Sequence, residues 1–197
     1  GLLMIIKLAP QEMHPPRQLA VWKNGEQLNI NGLTIDLASL VEGASLPANA
    51  IGSAWVAGPI QRVGGQVVLT LFLPNSPEST EAERFPRDLV DVPDGRVALP
   101  GKAAEEHFPT LGFAQIDWSL MQTRARQAEA LALATIAQLR SEADQAVVPL
   151  TDAVALGMAS EAEAEKLTDW QRFRVLLNRV PEQAGWPSEI DWPELPA

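Results

Sequence analysis

The chain changes character at Trp118. Residues 118–147 contain neither glycine nor proline and are rich in Ala, Leu, Gln, Glu and Arg, all of which favour helix. Before this stretch, proline and glycine recur at short intervals, so no long helix fits there. The contrast predicts an α+β protein in which β structure comes first and a helical region, residues 118–197, comes last.

One side of the predicted long helix carries mostly small side chains at three- and four-residue spacing. They are Met121, Ala125, Ala128, Ala132, Leu139 and Ala143. Such a stripe permits close helix contact, either in a hairpin within the chain or in an oligomeric coiled coil, and the pattern does not separate the two. Pro149 then ends this element or opens the next. The following PLTDAVALG predicts a short helix with Gly157 just past its end.

The last helix has clear start and stop signals. Ser160 and Glu163 have the spacing of a capping box, and Pro181 is expected to end the helix. Its apolar face is predicted to be core. The cations lie near its C-terminal end, where the helix dipole favours positive charge, and they form either a solvated face or a partner contact. The core face comprises Leu167, Trp170, Leu177 and Val180, with Phe173 near it; the cations are Arg172, Arg174 and Arg179.

Two Trp-Pro pairs follow this helix, at Trp186-Pro187 and Trp192-Pro193. Proline biases the residue before it toward extended geometry, so the tail is predicted to be an extended strap. Its tryptophans have two alternative fates, because they can pack against the chain's own helices or insert into a partner.

The segment 4–74 predicts a small antiparallel β domain. Asn24-Gly25 and Asn31-Gly32 separate three short alternating segments, which is typical of a meander with tight turns. A second hairpin is predicted between SAWVAGPIQRV and QVVLTLFLP, joined at Gly64-Gly65. Pro59 confines the first arm to an edge or breaks it. Met4 is a candidate start, which would make Gly1 to Leu3 an added extension.

The segment 75–117 predicts an extended connector between the β domain and the helices. Prolines at positions 77, 86, 93, 100 and 109 interrupt helices and exclude central strands. One short strand is expected near RVALP, residues 96–100.

Charge and residue inventory narrow the function classes. The formal net charge is −10, which disfavours nucleic acid and anionic membranes as partners. The chain has no cysteine, and its two histidines, His14 and His107, have no metal-ligand spacing. No nucleophile-elbow or phosphate-binding motif is present. The expectation is a protein that is not an enzyme, with no catalytic, cofactor-binding or metal residues.

From about Arg124 to the end, the chain resembles the phage tail fibre assembly proteins. The resemblance rests on PLTDAVALGMASEAEAEKL, then WQRFRVLLNRV, then IDWP near the terminus. The matching positions are Trp170, Arg174, Val175, Leu176, Leu177, Asn178, Arg179, Val180, Trp192 and Pro193. Pro181 and Trp186-Pro187 depart from the family pattern. The N-terminal part is instead similar to small tail proteins of Pseudomonas-type phages.

The resemblance implies a chaperone that helps a phage, or phage-tail-like bacteriocin, fibre fold and trimerise by binding its C-terminal tip. The alternative is a structural virion protein retained at the fibre tip or baseplate. Either role uses no cofactor, allows a homo-oligomer, and places the protein in the host bacterial cytoplasm during assembly, with or without retention on the fibre tip. The partner-binding candidates are Trp170, Arg172, Arg174, Arg179, Trp186, Pro187, Trp192 and Pro193.

Overall fold

A computed structural model describes residues 3–197. Gly1 and Leu2, which belong to the proposed extension before Met4, lie outside the described residues. The chain divides into two compact units, a β unit that runs to Thr123 and a helical unit, Arg124–Ala197. In chain order the elements are β1 Met4–Glu12, β2 Val21–Asn24, β3 Gln27–Ile30, β4 Leu33–Asp36, β5 Ser45–Leu46, β6 Ile60–Val63, β7 Gln66–Asn75, α1 Glu81–Arg84, β8 Gly95–Arg96, β9 Gly112–Phe113, α2 Arg124–Ala155 and α3 Glu161–Asn178.

The strands of the β unit form two sheets over one core. In the described residues, one sheet has the order β1-β7-β6-β5 and the other β8-β2-β3-β4-β9. Inward-facing side chains of both sheets, such as Ile6, Leu28, Ile35 and Leu69, are fully buried in a single cluster. This shared core gives the first unit enough buried apolar surface to be compact without disulfides.

Both predicted hairpins are present. β2, β3 and β4 pair antiparallel in sequence, with Gly25 and Gly32 in the turns at positive φ. β6 and β7 pair antiparallel across Gly64-Gly65. The first arm is broken where Pro59 predicted, since β6 begins at Ile60. The glycine-containing turns therefore set the strand registers of these hairpins, as expected.

The β unit is not wholly antiparallel, which corrects that part of the prediction. β1 pairs parallel with β7, from Met4 opposite Val67 to Glu12 opposite Asn75. β9 pairs parallel with β4. A parallel pair needs a long crossover rather than a tight turn, and here the chain between β1 and β7 includes β2 to β6.

The segment 75–117 runs against the two sheets. Val92 and Val97 are buried in the shared core, and β8 and β9 each add a short edge strand. The strand expected near residues 96–100 lies at Gly95–Arg96. Thr80 and Glu83 form a capping box at the short helix α1, an element the proline pattern did not predict.

The first long helix differs from its prediction at both ends. Trp118–Leu120 form a 3-10 turn, and Trp118 and Met121 pack on the β core, so the helix begins at Arg124. Pro149 does not divide it, because α2 continues to Ala155 with Pro149 inside. The long helix and the separate short helix of the prediction are thus one element. Ala143 and Val147, just before the proline, are buried, so packing stabilises the helix on that side of it.

Candidate partner-binding surface

The helical unit is built on a helix hairpin whose turn is defined by local signals. Gly157 has a φ of +70°, and the amides of Gly157 and Met158 donate to the carbonyls of Val154 and Ala153, as in a Schellman motif. Three residues later, the Ser160 hydroxyl accepts from the Glu163 amide at 3.1 Å, while the Glu163 carboxylate accepts from the Ser160 amide at 3.4 Å. The predicted capping box is confirmed, and α3 starts where the sequence indicates.

Two polar contacts tie α3 to α2. Arg140 Nη2 donates to Asn178 Oδ1 at 2.7 Å, which gives the asparagine of the LLNRV motif a role inside the unit. Arg174 Nε lies 3.1 Å from Asp144 Oδ1. Both pairs are solvent-exposed, so they align the helices more than they stabilise them.

The core of this unit is aromatic. Phe173, Leu177 and Val180 are buried together with Ile136 and Ala143 of α2. Around this cluster pack Leu139, Trp170, Trp186, Ile190 and Trp192. The ring centroids of Trp170 and Phe173 are 5.7 Å apart at an interplanar angle of 80°, an edge-to-face pair. The α3 face predicted to be core is therefore core, and both tail tryptophans pack against it.

Residues 180–189 of the tail are not the extended strap that the Trp-Pro pairs predicted. Val180–Glu182 form a 3-10 turn that includes Pro181, and residues 183–189 continue in turns. The Glu189 amide donates to the Gly185 carbonyl at 2.7 Å. A Cβ on Gly185 would lie 2.0 Å from the Glu189 carbonyl oxygen, so this turn requires glycine. At Trp186, burial of the indole ring outweighs the extended bias of a residue before proline.

A different face of α3 stays uncovered. Arg172, Val175, Leu176 and Arg179 follow the spacing of one helix face, and all four are exposed. Val175 is 47% exposed and Leu176 45%, although both are apolar. We call these four residues the α3 stripe. An apolar centre between two guanidinium groups is suited to a partner surface that is apolar with an acidic rim.

The structure separates the predicted partner-binding residues into groups. Trp170, Trp186 and Trp192 contact the core, Arg174 faces Asp144 on α2, and only Arg172 and Arg179 belong to the α3 stripe. Pro187 and Pro193 are half-buried. The sequence prediction did not include the exposed Val175 and Leu176 among the candidates. Their three- and four-residue spacing from Arg172 and Arg179 was the signal that could have revealed them.

A family model described as Caudovirales tail fibre assembly protein, lambda gpK, matches residues 78–197. The chain belongs to this tail fibre assembly family. The matched region includes the whole helical unit and begins within the β unit, just before α1. The α3 stripe, the hairpin and the tail are therefore all part of the family region.

Individual members of the family match over shorter stretches. A probable tail fibre assembly protein of Acyrthosiphon pisum secondary endosymbiont phage 1 is 47% identical over 58 residues, 29% of this chain and 36% of that protein. That of Escherichia phage P2 is 42% identical over 60 residues, 30% of this chain and 31% of that protein. The tail fibre assembly protein of Escherichia phage lambda is 37% identical over 73 residues, 37% of this chain and 34% of that protein.

The chain thus spans about a third of the length of each of these relatives. No solved structure shows significant similarity to the chain. Within residues 3–197, none of the helices has the length and apolar character needed to cross a bilayer.

Proposed function

We propose that this protein is a chaperone that binds the C-terminal tip of a phage, or phage-tail-like bacteriocin, tail fibre and assists its folding and trimerisation. The observation that carries the proposal is the family match over residues 78–197, together with the relatives named for tail fibre assembly. Such a role needs contact surfaces and no catalytic group. It places the protein in the host cytoplasm while the fibre is assembled.

The α3 stripe is the contact surface that we assign to this role. A helix that presents anchors at three- and four-residue spacing fits a groove or an apolar seam on a partner. Unassembled chains that will form a β-rich trimer expose strand edges and apolar seams that aggregate. Contact by Val175 and Leu176 would cover such a seam until the fibre chains associate. The flanking Arg179, and Arg172, which also lies 3.3 Å from Asp169, would face an acidic rim on the partner.

The tryptophan cluster has an indirect part in this proposal. Trp170, Trp186 and Trp192 pack α3 and the tail against one core, so the stripe lies on a preformed surface. Preformed contacts lose less conformational entropy on binding than contacts on a mobile segment.

Co-expression with the neighbouring fibre gene tests the proposal. We expect soluble, trimeric fibre when the two are expressed together, and aggregated fibre when the fibre is expressed alone. Light scattering coupled to size-exclusion chromatography measures the trimer. An equal yield of soluble trimer without this protein would refute the assembly role. Mass spectrometry of purified particles then shows whether the protein stays on the particle. Retention there would make it a structural component of the fibre tip.

A further inference from the structure

A second candidate binding site lies in the β unit. It is a cavity of about 420 Å³, in the size range of ligand pockets, roughly 300–1,000 Å³. One wall is the segment 17–21 that leads into β2, and the other is the segment 96–104 that follows β8. The end of β7 and the helix α1 contribute Leu73, Pro74 and Glu83.

Hydrogen bonds hold the two walls together. The Val97 amide donates to the Val21 carbonyl at 2.8 Å. At the rim, the Gln18 side-chain oxygen accepts from the amides of Glu105 and Glu106 at 3.1 and 2.7 Å. The pocket is therefore preformed, and a ligand would not have to order either wall.

Three cationic side chains line this pocket, those of Arg17, Arg96 and Lys102. Both arginines are held by tryptophan rings: the Arg17 guanidinium carbon lies 4.6 Å from the Trp55 ring centroid, and that of Arg96 lies 5.7 Å from the Trp22 ring centroid. A guanidinium that a cation–π contact places over a ring keeps N–H donors for a further partner. Arg17 makes no hydrogen bond or ion pair with any described residue.

The other two cations have partial partners. Arg96 Nη2 donates to the Ala104 carbonyl at 3.1 Å, which leaves further donors on its fork. Lys102 pairs with Glu105 at 2.7 Å on the exposed rim. The lining thus holds three cations and one carboxylate, Glu83, in a chain whose formal net charge is −10.

The one carboxylate among the lining residues is already engaged. Glu83 Oε1 accepts from the Thr80 amide and the Thr80 hydroxyl, both at 3.0 Å, as the partner in the α1 capping box. The side chain of Glu83 is also packed closely against Gly101. The hydrogen bonds of this carboxylate go to the helix cap, and within the described residues neither Arg17 nor Arg96 forms an ion pair with a carboxylate.

A second, more apolar pocket adjoins the first. The two share Ala98, Leu99 and Pro100 as a common wall. The second pocket is lined further by Ala82, by Leu89, by Phe85, which is 77% exposed, and by one pair of opposite charges, Glu81 and Arg87. A ligand that lies across the shared wall would thus meet cations on one side and apolar side chains on the other.

We propose that these adjoining pockets bind an extended polypeptide segment, with a carboxylate held between Arg17 and Arg96 and an apolar side chain against Phe85 and Leu99. Planar carboxylates suit guanidinium forks, and the apolar wall selects a peptide over a free anion. The net negative charge of the chain disfavours a polyanion such as nucleic acid. The origin of this segment in the fibre rests on the function proposed above. The chemistry of the ligand is inferred from the pocket alone.

Titration of the full-length protein with three capped peptides tests this inference, followed by NMR of the Trp22 and Trp55 indole N–H signals. The first peptide is acetyl-Gly-Leu-Asp-Leu-amide, whose only carboxylate is the Asp side chain. The second has Asn in place of Asp and keeps the C-terminal amide, so it is neutral. The third is the Asn peptide with a free C-terminal carboxylate. We expect at least one carboxylate peptide to bind about tenfold more tightly than the neutral peptide. Which of the two binds better identifies a side-chain or a terminal carboxylate.

Variants locate the binding. Arg17→Gln and Arg96→Gln should each weaken binding by about tenfold. Lys7→Gln, an equal loss of charge at an exposed position on β1, should leave binding unchanged. Phe85→Ser should weaken peptide binding while leaving the response to free acetate unaltered.

Equal affinity for the neutral peptide, unchanged affinity in both arginine variants, or equal binding of glucuronic acid would each overturn the inference. The fibre experiment gives an independent outcome. If the fibre depends on this protein but tolerates the double variant R17Q/R96Q, the assembly role stands and the pocket is not its fibre contact. If the fibre needs no assistance, the peptide titration still decides whether the pocket binds carboxylates.

Discussion

The side chain of Gln183 hydrogen-bonds both backbone groups of Asp191. Its Nε2 donates to the Asp191 carbonyl at 2.8 Å, and the Asp191 amide donates to its Oε1 at 2.9 Å. This pairing imitates one rung of a β-ladder and joins the start of the tail to the residue before Trp192. The contact closes residues 183–191 into a loop, and Trp186, Ile190 and Trp192 pack against the α2–α3 core.

Gln183→Ala should therefore release the tail. Loss of two partly exposed hydrogen bonds should lower the free energy of unfolding of the helical unit by about 1–2 kcal/mol. Urea unfolding followed by helical circular dichroism measures this change, and hydrogen exchange of the Asp191 amide reports the contact directly. Gln171→Ala, an exposed change on α3, is the control. Unaltered protection of the Asp191 amide would contradict the role of Gln183.

The tail tryptophans should contribute to stability. Trp186→Ala and Trp192→Ala should each cost about 2 kcal/mol, less than a fully buried tryptophan because both rings are half-buried. Leu195→Ala, at a tail position that is 52% exposed, should cost less than about 0.5 kcal/mol. Thermal and urea unfolding measure all three. If truncation after Glu182 kept full stability yet abolished fibre binding, the tail would grip a partner instead of its own core.

Asn178 should couple to Arg140 across the helix hairpin. A double-mutant cycle of Arg140→Ala and Asn178→Ala should give a coupling energy of about 0.5–1 kcal/mol, the range of an exposed side-chain hydrogen bond. The comparison pair is Arg172 and Asp169, 3.3 Å apart within α3, for which about 0.3 kcal/mol is expected. A coupling of zero for Arg140 and Asn178 would show that the contact is not maintained in solution.

Asp94 should make the free energy of unfolding of the β unit depend on pH. The Lys23 ammonium, which donates to Asp94 Oδ1 at 2.7 Å, and the Gly25 amide hold the pKa of this carboxyl below its usual value of 3.8. Lys23 itself is buried. A carboxyl with a lowered folded pKa stabilises the fold above its unfolded pKa, and this contribution is lost as the pH falls through the folded pKa.

Asp94→Asn should accordingly lower stability most at neutral pH. The difference from the wild type should begin to narrow near pH 4 and continue to shrink at lower pH. Chemical unfolding at a series of pH values from 7 to 3 measures this difference, with the exposed Asp88→Asn as control. A difference that stayed constant across the series would exclude an effect of the Asp94 charge.

Features set by neighbouring residues were predictable from the sequence. Asn24-Gly25 and Asn31-Gly32 indicated the meander because its turns place Gly25, Asn31 and Gly32 at positive φ. Ser160 and Glu163 located the start of α3 by hydrogen bonds that span three residues. The apolar face of α3 followed from helical period alone.

Features set by distant residues were not predictable in this way. The apolar segment at β1 carries no turn signal, and it is a strand because Met4, Ile6 and Leu8 face the core beside β7, over sixty residues later. Pro149 is a local stop signal that helix packing overrides. In the candidate site, the sequence predicted Arg172 and Arg179 as contact residues but did not show that Trp186 and Trp192 would fold inward, because burial depends on which helices the tail meets.

The central claim is that the α3 stripe binds the fibre. The most direct measurement is the yield of soluble fibre trimer on co-expression with the double variant V175Q/L176Q, which keeps helix-compatible side chains but removes the apolar contact. Leu131→Gln, at an α2 position that is 71% exposed, is the matched control. Circular dichroism should show both variants folded. We predict that trimer yield falls about tenfold with the stripe variant and is unchanged with the control. Equal trimer yields from the two variants would contradict the claim.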